Sequence, residues 1–163
     1  MLRKREAYRD FFQSLETFRF KISKVRIRCW PMKQFTLQTR SRTDFINIDQ
    51  QVAGLVRESG LRDGTVTVFI PHTTAGVMIN ENADPDVLAD MEQVLDRVVP
   101  WSNGYRHGEG NTAAHVKAGM MGSSAQVIVA GGQLQLGTWQ SLFFCEFDGP
   151  RTRKVWVKGI STP

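Results

Sequence analysis

Val66, Val68 and Ile70 alternate with Thr65, Thr67 and Phe69 along Thr65–His72, the period-two pattern of a strand with one buried face. The Asp63-Gly64 pair before it reads as a turn. Lys33–Thr39 reads as a strand, and Ala75–Asn80 as a partner to Thr65–His72. Gln126–Ala130, Leu134–Leu136, Gln140–Phe147 and Thr152–Ile160 read as further strands, the first two joined at Gly131-Gly132. Two helical patterns interrupt them. Asp49 is placed to cap a helix running to about Ser59, with Val52, Leu55 and Val56 on one face and Gly60 just beyond its end. Asp84-Pro85 opens a stronger one: Val87, Leu88, Met91, Val94, Leu95 and Val98 form a single apolar stripe, and Pro100 ends it. An irregular stretch from Pro100 to Asn111 precedes a short helix from about Thr112 to Met121. Strands outnumber helices and several connections are hairpin-length. The expected class is therefore α+β: a single compact domain with a mainly antiparallel sheet packed against two or three helices.

A chain of 163 residues is about one domain, large enough to bury a core. Its 41% apolar and 23% charged content excludes disorder and low-complexity classes. No apolar run approaches the ~20 residues needed to span a bilayer, and Leu2–Pro31 lacks the apolar stretch of a secretory signal. Cys29 and Cys145 make neither a disulfide framework nor a metal-type spacing, which fits a cytoplasmic chain.

The formal charge of +5 is unevenly spread. Residues 1–31 hold nine Lys/Arg against three acids, whereas the other 132 residues hold twelve against thirteen. Nucleic-acid binding is thus disfavoured for a nearly neutral body. The leading segment has three readings: a surface helix over Leu2–Phe20, a basic partner-binding arm, or a stretch outside the natural product, with translation starting at Met32. The division expected is a basic extension over 1–31 and a domain over 32–163. A mitochondrial transit peptide is disfavoured by Glu6, Asp10 and Glu16.

Candidate chemistry starts with three histidines. His72 shares the parity of Val66 and Val68 where the strand ends, His107 lies in the longest irregular stretch, and His115 lies on the short helix with Ala118 and Gly119 on the same face. Each reads either as a hydrogen-bonded or surface histidine, or as a ligand. Three neutral imidazoles can hold Zn²⁺ and leave a position open for water or substrate. Glu81, within Asn80-Glu81-Asn82-Ala83-Asp84-Pro85, caps nothing and is a candidate general base or metal-ordering carboxylate, while Asn82 suits either a turn or a substrate contact. Asp148-Gly149-Pro150 reads as a turn between two strands. Arg151 and Arg153 after it share strand parity and are either exposed cations or a bidentate grip for phosphate or carboxylate. Cys145, within Phe143-Phe144-Cys145-Glu146-Phe147, reads as core.

Four segments together resemble the YjbQ family. They are His72-Thr73-Thr74-Ala75-Gly76 leading to Asn80–Pro85, Asn111-Thr112-Ala113-Ala114-His115-Val116-Lys117-Ala118, Gly132–Gln140, and Asp148-Gly149-Pro150-Arg151. The resemblance runs from about Met32 to the C-terminus and does not include the basic extension. It implies a homotrimer with a polar cleft near the subunit interface and a divalent metal, zinc, held by histidines at the positions of His72, His107 and His115. It also implies catalytic roles for Glu81, Lys117 and Arg151, with substrate contacts from Thr73, Thr74, Asn82, Asn111 and Arg153. The reaction implied is on a small phosphorylated metabolite. Some relatives carry the name secondary thiamine-phosphate synthase, a transferase joining a thiazole phosphate to an aminopyrimidine pyrophosphate. Pyrophosphate chemistry more usually employs Mg²⁺ on oxygen ligands, whereas three histidines favour zinc. The alternative to an enzyme is a metabolite- or metal-binding module without turnover.

Overall fold

The computed structural model describes residues 28–161; the helix expected over Leu2–Phe20 lies outside the described residues. The elements are β1 (Arg28–Cys29), β2 (Lys33–Gln38), β3 (Asp44–Asn47), α1 (Asp49–Ser59), β4 (Gly64–Phe69), β5 (Ala75–Glu81), α2 (Pro85–Val98), α3 (Thr112–Met121), β6 (Ser124–Ala130), β7 (Gln133–Gln135), β8 (Gln140–Glu146) and β9 (Thr152–Ser161). They form two antiparallel sheets. One has the order β1-β9-β4-β6-β7, with β2 also paired to β9; the other has the order β3-β8-β5. The α+β expectation holds, with the strands divided between two sheets.

The alternation explains how the sheets meet. Val66 and Val68 of β4, Val127 and Val129 of β6, and Val155 and Val157 of β9 face Ala75 and Val77 of β5 and Leu142 and Phe144 of β8. Ile48, with Val52 and Val56 of α1, joins this core. The opposite face of the second sheet carries Phe143, Cys145 and Phe147, which pack against Leu95 of α2 and Ala114 and Ala118 of α3. Strand β8 is thus buried on both faces, which is why Leu142–Cys145 is apolar at every position rather than alternating. Helix α3 lies close on β5 because Gly76 has no side chain: a Cβ there would stand 2.7 Å from the Gly122 carbonyl oxygen and 2.9 Å from Met121 Cβ.

Several local readings need correction. Ala75–Asn80 pairs with β8, not with β4, because Pro71–Thr74 carries the chain from one sheet to the other. Asp148-Gly149-Pro150 lies between two strands as expected, and the two it joins, β8 and β9, belong to different sheets. Ile48, not Asp49, holds the N-cap position of α1. Asp49 is the first helical residue; Asn47 Oδ1 accepts its N–H, and its own Oδ1 accepts the N–H of Leu142 at 2.7 Å, stitching the helix to β8. Asp84 caps α2 as expected, accepting from the Asp86 N–H at 2.9 Å. The α2 stripe, however, is only partly covered: Leu95 is buried while Val94 and Val98 are 46% and 65% exposed. Trp30, ahead of Met32, is part of the fold. Its N–H donates to the Gly159 carbonyl, and its ring occupies the space where a Cβ of Gly159 would be.

Glu146 shares the inward parity of Leu142 and Phe144, and Arg153 that of Val155 and Val157, so the two meet between the sheets. Arg153 Nε donates to Oε2 and Nη2 to Oε1, both at 2.6 Å, with both side chains buried. The Phe147 and Asp148 N–H groups donate to Oε1, and the Thr39 hydroxyl to Oε2. Removing one member of such a pair strands the other without water. Glu146→Ala is therefore expected to cost about 3–5 kcal/mol in urea unfolding. Adding Arg153→Leu should recover part of that loss, and an equal or larger loss in the double variant would contradict this account.

Candidate functional site

The crossing from β8 to β9 sets the first group of polar side chains. Asp148 Oδ2 accepts from Arg151 Nη2 at 2.7 Å, and the Asp148 carbonyl accepts from Arg151 Nε at the same distance. The same Oδ2 accepts from Asn111 Nδ2 at 3.2 Å, joining the crossing to the start of α3. Asn111 holds the N-cap position but does not cap with its side chain. Its Oδ1 and the Thr112 hydroxyl are both shielded from solvent and without a protein partner. Two orphan polar atoms beside the positive end of a helix leave hydrogen-bonding capacity for a ligand.

One turn along α3, the His115 ring meets the His107 ring edge-on, with centroids 5.4 Å apart. His107 is exposed, its Nε2 3.7 Å from a Glu109 carboxylate oxygen. Lys117 is fully buried; its ammonium pairs with Asp96 of α2 and lies 4.0 Å from the centre of the Trp101 ring. The carboxylate and the indole face together offset the cost of taking that charge out of water.

The other expected site residues lie elsewhere. Thr74 Oγ1 accepts from Arg153 Nη2 at 2.8 Å, so both residues serve the buried cross-sheet pair. Thr73 is exposed. His72 Nε2 accepts the Lys154 N–H at 2.9 Å, beside that pair. Glu81 ends β5, six residue steps or about 20 Å along the strand from Ala75, which lies opposite Glu146. Its carboxylate has no hydrogen-bond or ion-pair partner among the described residues. Asn82 is exposed, its N–H on the Trp139 carbonyl. Among the described residues no three His, Cys, Asp or Glu side chains come together as a group able to hold a metal ion. His107 and His115 meet, His72 does not join them, and one chain therefore does not fit a three-histidine zinc site.

Sequence reasoning missed Asp96, Trp101 and Arg42. The Arg42 guanidinium lies 4.9 Å from the centre of the Trp101 ring. Asp96 reads as the polar side of an amphipathic helix, and Trp101 and Arg42 as loop residues; only the fold brings them to Lys117. The Gly132–Gln140 segment takes no part in this cluster. Gly132, Gln133, Leu134 and Leu136 line a separate groove of about 600 Å³ against α1. Burial pushes the Cys145 thiol far above its ordinary range, in keeping with its place in the core.

The sequence profile described as UPF0047 protein YjbQ-like matches residues 33–162. The UPF0047 protein YugU of Bacillus subtilis is 49% identical over 128 residues, covering 78% of this chain and 97% of that one. A UPF0047 protein of Methanocaldococcus jannaschii is 41% identical over 127 residues, 78% of this chain and 92% of its own. Among solved structures, a YjbQ/UPF0047 family protein of Clostridium acetobutylicum is 54% identical with a TM-score of 0.77, covering 78% of this chain and 98% of that one. A protein of unknown function from Sulfolobus solfataricus, described as YbjQ-like, is 27% identical with a TM-score of 0.78, covering 83% and 99%.

Partial burial, and then the charge of Arg153, hold the His72 pKa below its ordinary 6.5. The unfolded chain therefore binds more protons than the folded one just below pH 6.5. The contribution of His72 to stability is complete above that pH and is lost as the pH falls through the folded value. Urea midpoints between pH 7.5 and 5.5 should fall more steeply for the native chain than for His72→Gln. Parallel curves would remove His72 as the source.

Proposed function

The chain belongs to the UPF0047 YjbQ-like family, and we propose that it is an enzyme acting on a small phosphorylated metabolite at the surface formed by Asp148–Arg151 and the first half of α3. The observation that carries this reading is the Arg151–Asp148–Asn111 linkage beside the unpartnered Thr112 hydroxyl. Asp148 presets the Arg151 guanidinium, which is 53% exposed, so its remaining donors can take a phosphate with little loss of side-chain freedom. The Thr112 hydroxyl and the α3 N-terminus favour the same anion. Lys117, held by Asp96 and Trp101, contributes its field rather than a direct contact. His115 and His107 are the groups in reach of one another that can move a proton to or from the reacting centre. In the narrower transferase reading, a nitrogen–carbon bond forms as a carbon–oxygen bond breaks, and these cations stabilise the departing pyrophosphate.

A homotrimer suits the uncovered apolar surface of Val94 and Val98 on α2 and Val116 and Met120 on α3. It also gives Glu81 and Asn82 a route to the site, since a second copy can bring in the end of the sheet that lies away from Asp148 in its own chain. In place of proton transfer, His107 and His115 could instead be two ligands of a divalent metal, with the rest of its ligands from outside the chain. Bound there, zinc would supply positive charge to an oxygen of the substrate. Among the described residues no helix is long and apolar enough to cross a membrane, and the free Cys29 and Cys145 suit a cytoplasmic location.

With a panel of phosphorylated metabolites, Arg151→Ala is expected to weaken binding by about 10- to 100-fold, the worth of a charge-assisted contact. His115→Ala is expected to lower turnover by about 10²-fold or more while leaving affinity within a few-fold. Binding without turnover across the panel would make the chain a binding module. Zinc found by elemental analysis in the native chain and absent from a His107→Ala, His115→Ala variant would support the metal; equal zinc in both would remove these ligands.

A further inference from the structure

We infer that Arg42 is an anion-binding residue of this site, holding a phosphate of the ligand beside Trp101; the inference rests on the phosphorylated-ligand reading above. Arg42 lies in the connection between β2 and β3, and its backbone is fixed against the β8–β9 crossing. The Gly149 N–H donates to the Arg42 carbonyl at 3.1 Å, and on either side the Arg40 N–H donates to Asp44 Oδ2 and the Ser41 hydroxyl to the Thr43 carbonyl. Gly149 is two residues from Arg151, so the two arginines stand on touching segments.

The charges around Arg42 do not balance. Lys117 is matched by Asp96, Arg151 by Asp148 and Arg153 by Glu146. Arg42 has no carboxylate among the described residues; its partner is the Trp101 ring, which also receives the Lys117 ammonium. Two cations therefore converge on one indole with a single carboxylate between them, an excess of one positive charge. Lys117 is buried and already paired with Asp96, so the unbalanced charge is that of the exposed Arg42 guanidinium, and an anion there neutralises it. The contact with the indole occupies none of the guanidinium N–H donors, and none of them donates to another group among the described residues. The ring also holds the side chain in place before the ligand arrives, so less rotamer freedom is lost on binding. A flat, preoriented fork without an acceptor suits the two oxygens of a phosphate.

The test is calorimetric titration of the full chain with inorganic pyrophosphate, at two salt concentrations, for the native protein and for Arg42→Ala, Arg42→Lys and Arg57→Ala. Arg57 is an exposed arginine on the separate groove against α1 and serves as the charge-matched control. Arg42→Ala is expected to weaken binding at least tenfold and to flatten its salt dependence. Arg42→Lys, which keeps the charge and loses the fork, should fall between native and Arg42→Ala, and Arg57→Ala should bind as native. The near-ultraviolet circular dichroism of the tryptophans reports whether each variant keeps the fold; were Arg42→Ala to lose it, Arg42→Lys alone decides. Native affinity in a folded Arg42→Ala chain, or an equal loss in Arg57→Ala, would overturn the inference while leaving the proposed function standing. A native chain that takes up no pyrophosphate would overturn both.

Discussion

Glu146 accepts five hydrogen bonds in a place without water: two from Arg153, one from Thr39 and two from the backbone that follows it. A carboxylate enclosed in this way is tolerable only while all of its donors stay in position, so the requirement runs outward from it. Arg153 fixes where β9 begins relative to β8. The Phe147 and Asp148 amides fix the path of the crossing, and Thr74, which accepts from the same Nη2 that serves Glu146, fixes the second place where the chain changes sheets. The apolar core between the sheets is interchangeable in kind, Val against Val and Leu against Phe. The charged pair is not, and it defines one relative placement of the two sheets.

That dependence explains why the candidate site lies where it does. Asp148 follows Glu146 by two residues and inherits its placement; Asp148 in turn holds Arg151 and Asn111, and Asn111 begins the helix that carries His115 and Lys117. The exposed, chemically available groups are thus one or two contacts away from the rigid pair. Arg153, which looks on strand parity like an equal partner of Arg151, belongs to the support and not to the surface.

Much of the fold was legible because it rests on short-range patterns. The alternation through Val66, Val68 and Ile70, the Asp84-Pro85 start of α2, and the strand over Gln140–Phe147 are each visible within a few neighbouring residues. Strand parity gives a face but no partner, so Ala75–Asn80 was assigned to β4 when it pairs with β8, and the existence of two sheets was not visible. The site was legible residue by residue and not as a geometry. His72, His107 and His115 look alike in the sequence, yet only the last two meet. Arg42, Trp101 and Asp96 carry no motif, because cation–indole contacts between residues 42, 101 and 117 have no characteristic spacing. The α2 stripe is legible as apolar, but periodicity does not say what covers it, and Val94 and Val98 stay exposed.

The meeting of Trp30 with Gly159 has a consequence for how sequences of this fold vary. The indole fills the space that a side chain at position 159 would need, and the neighbouring strand pairing holds both backbones in place. The two positions are therefore one choice: an aromatic residue ahead of β2 demands glycine in β9, and a relative whose chain begins later is free to carry a methyl or larger group there. Across an alignment, the length of the leading segment and the identity of one residue near the far end of the chain should change together, more than a hundred positions apart, with no functional pressure linking them.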